Sequence, residues 1–155
     1  EAAITCVTSF IRDYSQTADT LTVKRSASKV LHSLNRWCHG QHEYEQGGHS
    51  QMITTLTSII FKSTSAFVFH SGDSRISRLQ NGVFEQLTTD HNARLGTNRV
   101  LTRAIGIEPH LEVDFSSVEL CRGDLFILST DGLHEFLSAK TIQQSLTMLA
   151  VCWSR

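Results

Sequence analysis

The hydrophobic period of this chain changes once, between residues 40 and 52, and that change limits the folds open to it. Before it, Ile4, Val7, Phe10, Ile11 and Tyr14 recur at three- and four-residue steps. Val23, Ala27, Val30, Leu31, Leu34, Trp37 and Cys38 repeat the pattern, so both stretches read as helices with an apolar side. After it, residues 52–61 are β-branched and apolar on both parities, which predicts a strand buried on two faces. The polar stretch between, with Gly47-Gly48, reads as a loop.

Residues 66–70 and 75–79 predict two further strands, with turn chemistry in Ser71-Gly72-Asp73-Ser74 between them. Asn81-Gly82 then separates two β-type runs. Both residues tolerate positive φ, so a hairpin is expected and the middle of the chain reads as an antiparallel meander. Residues 88–109 are polar and irregular, with a short helix expected around 98–104. Leu111, Val113 and Phe115 alternate with Glu112 and Asp114 as a half-buried strand, and residues 125–128 form a short, fully buried one. Ser138 is placed to cap a last helix carrying Ile142, Leu146, Leu149 and Ala150 on one side. Helices, then antiparallel strands, then a helix make an α+β fold, expected as a single domain over residues 1–155.

Composition narrows the function. With 14 Lys and Arg against 15 Asp and Glu, the formal charge is −1, so no basic field exists to hold nucleic acid or a membrane surface. No run of about eighteen apolar residues occurs to span a bilayer. Glu1-Ala2-Ala3-Ile4 lacks both the basic start of a signal peptide and an initiator Met, so a trimmed chain is expected. Cys6, Cys38, Cys121 and Cys152 are scattered without a Cys-x-x-Cys pair, which favours free, buried thiols in a reducing, cytoplasmic setting.

Asp131 follows the buried strand 125–128 and precedes Gly132. A carboxylate there needs a partner, and a hard cation bound through oxygen is one. A helix N-cap or turn role explains the same residue locally. Asp73, in Gly72-Asp73-Ser74-Arg75, fits an ordinary turn as well as a site. Glu135, four residues after Asp131, can share a helical face with it.

Taken in order, Met52-Ile-Thr-Thr-Leu56, Gly72-Asp-Ser-Arg75, Leu87-Thr-Thr-Asp-His91, Leu101-Thr-Arg-Ala-Ile-Gly106, Gly123-Asp124 and Leu128-Ser-Thr-Asp-Gly-Leu133 resemble the PP2C-like (PPM) metal-dependent serine/threonine protein phosphatases, the bacterial branch above all. The resemblance spans about residues 50–137. It implies an α-β-β-α sandwich of two antiparallel sheets with helices outside. It also implies two core Mn²⁺ or Mg²⁺ ions, with a place for a third, weaker one, held by carboxylates between the sheets, and a metal-bridging water that attacks phosphoserine or phosphothreonine. By family position Asp131 is a core metal ligand, Asp73 helps to bind a further metal, and Glu135 stands where many members have Asp. Residues 88–106 correspond to a flap beside the active site. A cognate serine/threonine kinase is an expected partner, alongside the phosphoprotein substrate.

Two family elements are absent, an early Asp-Gly-x-Gly and a late Asp-Asn. The expectation is therefore a domain lacking both ends, unable to assemble the two-metal site and inactive alone. A non-catalytic phosphatase-like module that binds a partner or another domain is the alternative. Cys38, His39, His42 and His49, near Glu43 and Glu45, match no common zinc spacing and read as a solvated loop. No Gly-x-Ser-x-Gly elbow and no Walker A pattern occur. Cys121-Arg122 is not the phosphate loop of cysteine phosphatases and reads as a buried strand edge.

Overall fold

The computed structural model describes residues 1–44 and 52–153. Two helices open it, α1 (Ala2–Ser15) and α2 (Val23–Tyr44). Thr22 starts α2, its Oγ1 accepting from the Arg25 N–H at 3.3 Å. The strands are β1 (Leu56–Lys62), β2 (Ser65–Ser71), β3 (Arg75–Gln80), β4 (Val83–Gln86), β5 (Asn92–Leu95), β6 (Asn98–Leu101), β7 (Asp114–Glu119) and β8 (Leu125–Ser129). A short α3 (Asp131–His134) and a final α4 (Ala139–Trp153) follow, the latter capped by Ser138, whose Oγ accepts from the Thr141 N–H at 3.2 Å. Residues 45–51, with the Gly47-Gly48 loop, Glu45 and His49, lie outside the described residues.

The strands form two three-stranded antiparallel sheets, ordered β1-β2-β7 and β4-β3-β8, and a separate β5-β6 hairpin. α1 packs on α2 and the pair covers the first sheet, while α4 lies against β3 of the second. The sheets meet where Phe61 and Phe126 stack edge to face at 5.4 Å and where Arg78 Nη1 donates to the Glu119 carbonyl at 3.1 Å. This is the expected α-β-β-α layering. Its core joins Cys6 and Phe10 of α1, Ala27, Leu31, Leu34 and Cys38 of α2, Leu56 and Phe69 of the first sheet, and Ile105 and Leu111. Each fully buried large side chain among them contributes about 2 kcal/mol or more.

Several expectations are corrected. The middle of the chain is not one meander, because β2 and β3 belong to different sheets. Gly72-Asp73-Ser74 is therefore a crossover between sheets rather than a hairpin turn. Residues 98–104 hold no helix. β5 and β6 pair instead around Gly96 at φ +63°, with residues 93–100 exposed, so no apolar stripe was there to bury. β7 begins at Asp114, later than its alternation suggests, because β2 pairs with it out to Glu119 across polar Ser116-Ser117. β8 is an outer strand of its sheet and is half-exposed rather than fully buried, with Leu128 50% exposed. The buried side of α1 is centred on Cys6 and Phe10, leaving Ile4, Val7 and Ile11 exposed. Cys6 and Cys38 are free and buried as expected, but Cys121 is free and exposed.

Candidate functional site

The β3–β8 register pairs Arg75 with Ser129. Asp73 stands two residues before Arg75 and Asp131 two after Ser129, so both acids lie just beyond the same end of the ladder. Thr130 takes the N-cap position of α3, and Asp131 is the first helical residue rather than its cap. The Asp131 carboxylate is exposed, and its Oδ1 accepts the Gly132 N–H at 2.8 Å. Asp73 is half-buried, and its carboxylate accepts no hydrogen bond from the described residues. Glu135 follows α3, its main-chain N–H donating to the Asp131 carbonyl at 3.0 Å, but its carboxylate turns to Arg99 Nη1 at 3.1 Å.

These groups share one electrostatic neighbourhood. Burial, and then Arg75, hold the His134 imidazole below its ordinary value, while Asp90, Asp131 and Asp73 pull it upward. Arg75 and Asp90 anchor the cluster through paired hydrogen bonds of 2.8 and 2.6 Å. The Arg75 guanidinium holds the Asp90 carboxyl below its usual value, against the opposing effect of burial. Arg99, on β6, also reaches Asp90 Oδ2 at 3.3 Å, so one arginine of the hairpin touches two acids at the edge of the site.

Oxygen donors of this kind suit Mn²⁺ or Mg²⁺. Asp73, and Asp131 through its second oxygen, offer open carboxylate oxygens, whereas Glu135 is committed to Arg99. Among the described residues, however, no three His, Cys, Asp or Glu side chains converge as a cation site. The described residues offer oxygen donors of the right kind and do not amount to a closed two-ion centre.

Behind the Asp73 crossover lies a polar layer to which sequence reasoning gave no role. Gly72 has φ +127°, and a Cβ there would collide with Thr55. The Gly72 N–H donates to His91 Nδ1 at 3.1 Å, and the His91 N–H donates to the Gly72 carbonyl at 2.7 Å. His91 Nε2 lies 3.0 Å from Asp114 Oδ2, and Arg103 Nη1 donates to Asp114 Oδ1 at 3.1 Å. His70, 1% exposed, sets its Nε2 3.0 Å from the Thr89 carbonyl and its Nδ1 2.8 Å from Thr57 Oγ1. The two rings lie 4.7 Å apart. A carbonyl only accepts, so His70 carries its proton on Nε2 and its Nδ1 accepts from Thr57. Gly72, Thr89, His91 and Arg103 of this layer stand inside the quoted motifs, whereas His70 and Asp114 stand outside them. A cleft of about 450 Å³ opens beside His70, Thr89, Asp114 and Lys24, away from Asp131.

Residues 1–154 match the profile of the protein phosphatase 2C family. The chain is 31% identical over 124 residues to protein phosphatase PhpP of Streptococcus pneumoniae, an alignment covering 70% of this chain and 49% of that protein. It is 32% identical over 111 residues to serine/threonine phosphatase stp of Listeria monocytogenes, covering 61% of this chain and 44% of the relative. The chain thus spans about half the length of the curated relatives it matches. Among solved structures, the Streptococcus agalactiae serine/threonine phosphatase superposes with a TM-score of 0.82 at 24% identity, over 94% of this chain and 67% of that one. The catalytic domain of serine/threonine protein phosphatase PstP, in complex with 2 manganese ions, gives 0.79 at 24% identity, over 94% and 66%. At that identity the structural likeness establishes the fold.

Proposed function

Because the chain belongs to the protein phosphatase 2C family, we propose that it is part of a protein serine/threonine phosphatase acting on phosphoserine and phosphothreonine in proteins. In that reaction water bonds to phosphorus, the bond from phosphorus to the serine or threonine oxygen breaks, and that oxygen takes a proton. The observation that carries the reading is the pair Asp73 and Asp131 at one end of the β3–β8 ladder, both with open oxygens. Mn²⁺ or Mg²⁺ supplies activation of the attacking water in chemistry of this class. This chain's own share is to present the two carboxylates beside the Arg75–Asp90 ion pair.

The donor count makes the isolated chain too poor in ligands for turnover, so its activity belongs with a fuller set of acids. A non-catalytic, partner-binding module is the second reading, favoured by the absence of a converged three-residue site among the described residues. We assign residues 1–155 to one domain, with a cytoplasmic setting and an opposing serine/threonine kinase. No helix among the described residues is long and apolar enough to cross a membrane.

Hydrolysis of a phosphothreonine peptide, with and without Mn²⁺, tests the reading in this chain and in an Asp131→Asn variant. Mn²⁺-dependent turnover lost in the variant establishes the enzyme and overturns the claim of an insufficient ligand set. No turnover, together with Mn²⁺ binding that Asp131→Asn weakens, supports a site that this chain leaves unfinished. Neither turnover nor Mn²⁺ binding favours the module.

A further inference from the structure

The crossover that carries Asp73 has no regular ladder to fix it, because the chain is passing from one sheet to the other. An acid useful at a site must nevertheless point one way, and the main chain beside it must be held from outside. On the β2 side that hold comes from a single residue. His91 receives the Gly72 N–H on its ring Nδ1 and gives its own main-chain N–H to the Gly72 carbonyl, at 3.1 and 2.7 Å. Both polar groups of Gly72 are thereby satisfied at a buried position.

The ring's direction is itself set. A main-chain N–H can only donate, so Nδ1 is the bare nitrogen and Nε2 carries the proton, which it gives to Asp114. Arg103 Nη1, 3.5 Å from Nε2, faces donor to donor and is a contact rather than a bond. Its bond is to the other Asp114 oxygen, at 3.1 Å. Arg103, Asp114, His91 and Gly72 thus form a chain running from the flap, through β7, to the crossover. At 8% exposure the ring is nearly out of water, which raises the cost of leaving its acceptor or the Gly72 N–H unmade.

We propose that His91 is a positioning residue for Asp73: its Nδ1 fixes the Gly72 peptide and with it the direction of the Asp73 carboxylate, and Asp114 fixes the ring. The proposal deepens the phosphatase reading and rests on it only for the use made of Asp73.

Two near-isosteric variants separate the ring's two roles. In His91→Asn the side-chain oxygen falls where Nδ1 was, so the Gly72 bond is kept and the Asp114 bond is lost. In His91→Gln the amide nitrogen falls where Nε2 was, so the Asp114 bond is kept and the Gly72 bond is lost. Hydrogen exchange at the Gly72 amide and the ¹³C shift of the Asp73 carboxyl are measured in all three proteins. Their global stabilities are taken from urea unfolding. The expected result is Gly72 exchange at least tenfold faster and a displaced Asp73 shift in His91→Gln. His91→Asn stays near the parent on both readouts, even where the two variants lose similar global stability. Equal effects in both variants, tracking global stability, overturn the proposal and leave His91 a packing residue. Added Mn²⁺ separates this from the function itself. If the Gly72 result holds while Mn²⁺ fails to broaden the Asp73 amide of the parent, positioning stands and the cation role of Asp73 falls.

Discussion

Arg75 grips Asp90 with two parallel bonds, Nε to Oδ1 at 2.8 Å and Nη2 to Oδ2 at 2.6 Å, while the acid is 12% exposed. The pair joins the start of β3 to the segment that leads into the flap, and it stands beside the Asp73–Asp131 end of the ladder. Asp90→Asn leaves a charged guanidinium with half its partner, and about 2 kcal/mol of stability should be lost at neutral pH. The folded-state pKa of Asp90 lies below its ordinary 3.8, so this contribution is complete above 3.8 and disappears as pH falls through the folded value. Urea unfolding of parent and variant should therefore differ at pH 7 and converge in strong acid.

His70 predicts the opposite kind of acid sensitivity. Burial first, and His91 second, lower its pKa from the ordinary 6.5. The folded ring takes a proton less readily than the unfolded one, so acid favours the unfolded chain. Stability should fall as pH drops from 6.5 towards the folded value, and level off below it. His134, lowered chiefly by burial, adds to the same slope. A His70→Gln chain should be less stable at pH 7.5, by about 1 kcal/mol for the lost Thr57 bond, yet show a flatter decline between pH 7 and 5.5.

Gly72→Ala should cost more than about 2 kcal/mol, from positive φ and collision together. The collision is with the Cβ and Cγ2 of Thr55 and reaches its Cα. Thr55→Ala keeps that Cβ, so the double variant should recover little. Thermal melting of the four corners of this cycle checks the point, and full recovery would show the crossover to be looser than described.

Arg99 and Glu135 are 44% and 46% exposed, so their ion pair is screened by water. Arg99→Ala should lower stability by no more than about 0.5 kcal/mol. It should also free the Glu135 carboxylate, and Mn²⁺ titration should then show binding at least as tight as in the parent.

Thiol chemistry checks the helix packing. Cys6 and Cys38 lie within 3.5 Å of one another at 1% and 0% exposure, whereas Cys121 is exposed. In a Cys152→Ser background, a disulfide reagent should modify one thiol quickly and two only on unfolding. Three fast thiols would mean that α1 does not sit on α2 as described.

The sequence showed the opening and closing helices, β2, β3 and the Asn81-Gly82 hairpin, because each carries its own period or turn chemistry. It ended α2 short of Tyr44, placed a helix at 98–104 that is absent, and expected a first strand over 52–61 buried on two faces where β1 starts at Leu56 and leaves Phe61 55% exposed. It misplaced β7 and missed β5 and β6. Those strands are defined by partners, and residues 93–100 bury nothing that would print a pattern. The division into two sheets was hidden for a related reason: Gly72-Asp73-Ser74 has the same turn residues whether β2 and β3 pair or part. At the site, motif order marked Asp73, and motif order together with its place after the strand at 125–128 marked Asp131. The grip of His91 on Gly72 joins residues nineteen apart across a crossover, a relation no local pattern encodes.

The flap hairpin leaves the body at His91 and returns at Thr102, and the Thr102 N–H closes that neck by donating to the His91 carbonyl at 2.9 Å. A loop whose two ends are tied together is a cassette. Its length is uncoupled from the scaffold, since doubling such an excursion costs only about 0.6 kcal/mol in chain entropy. Residues 93–100 could then be exchanged for a longer, shorter or differently charged excursion, while the two sheets and the His91 grip stay as they are.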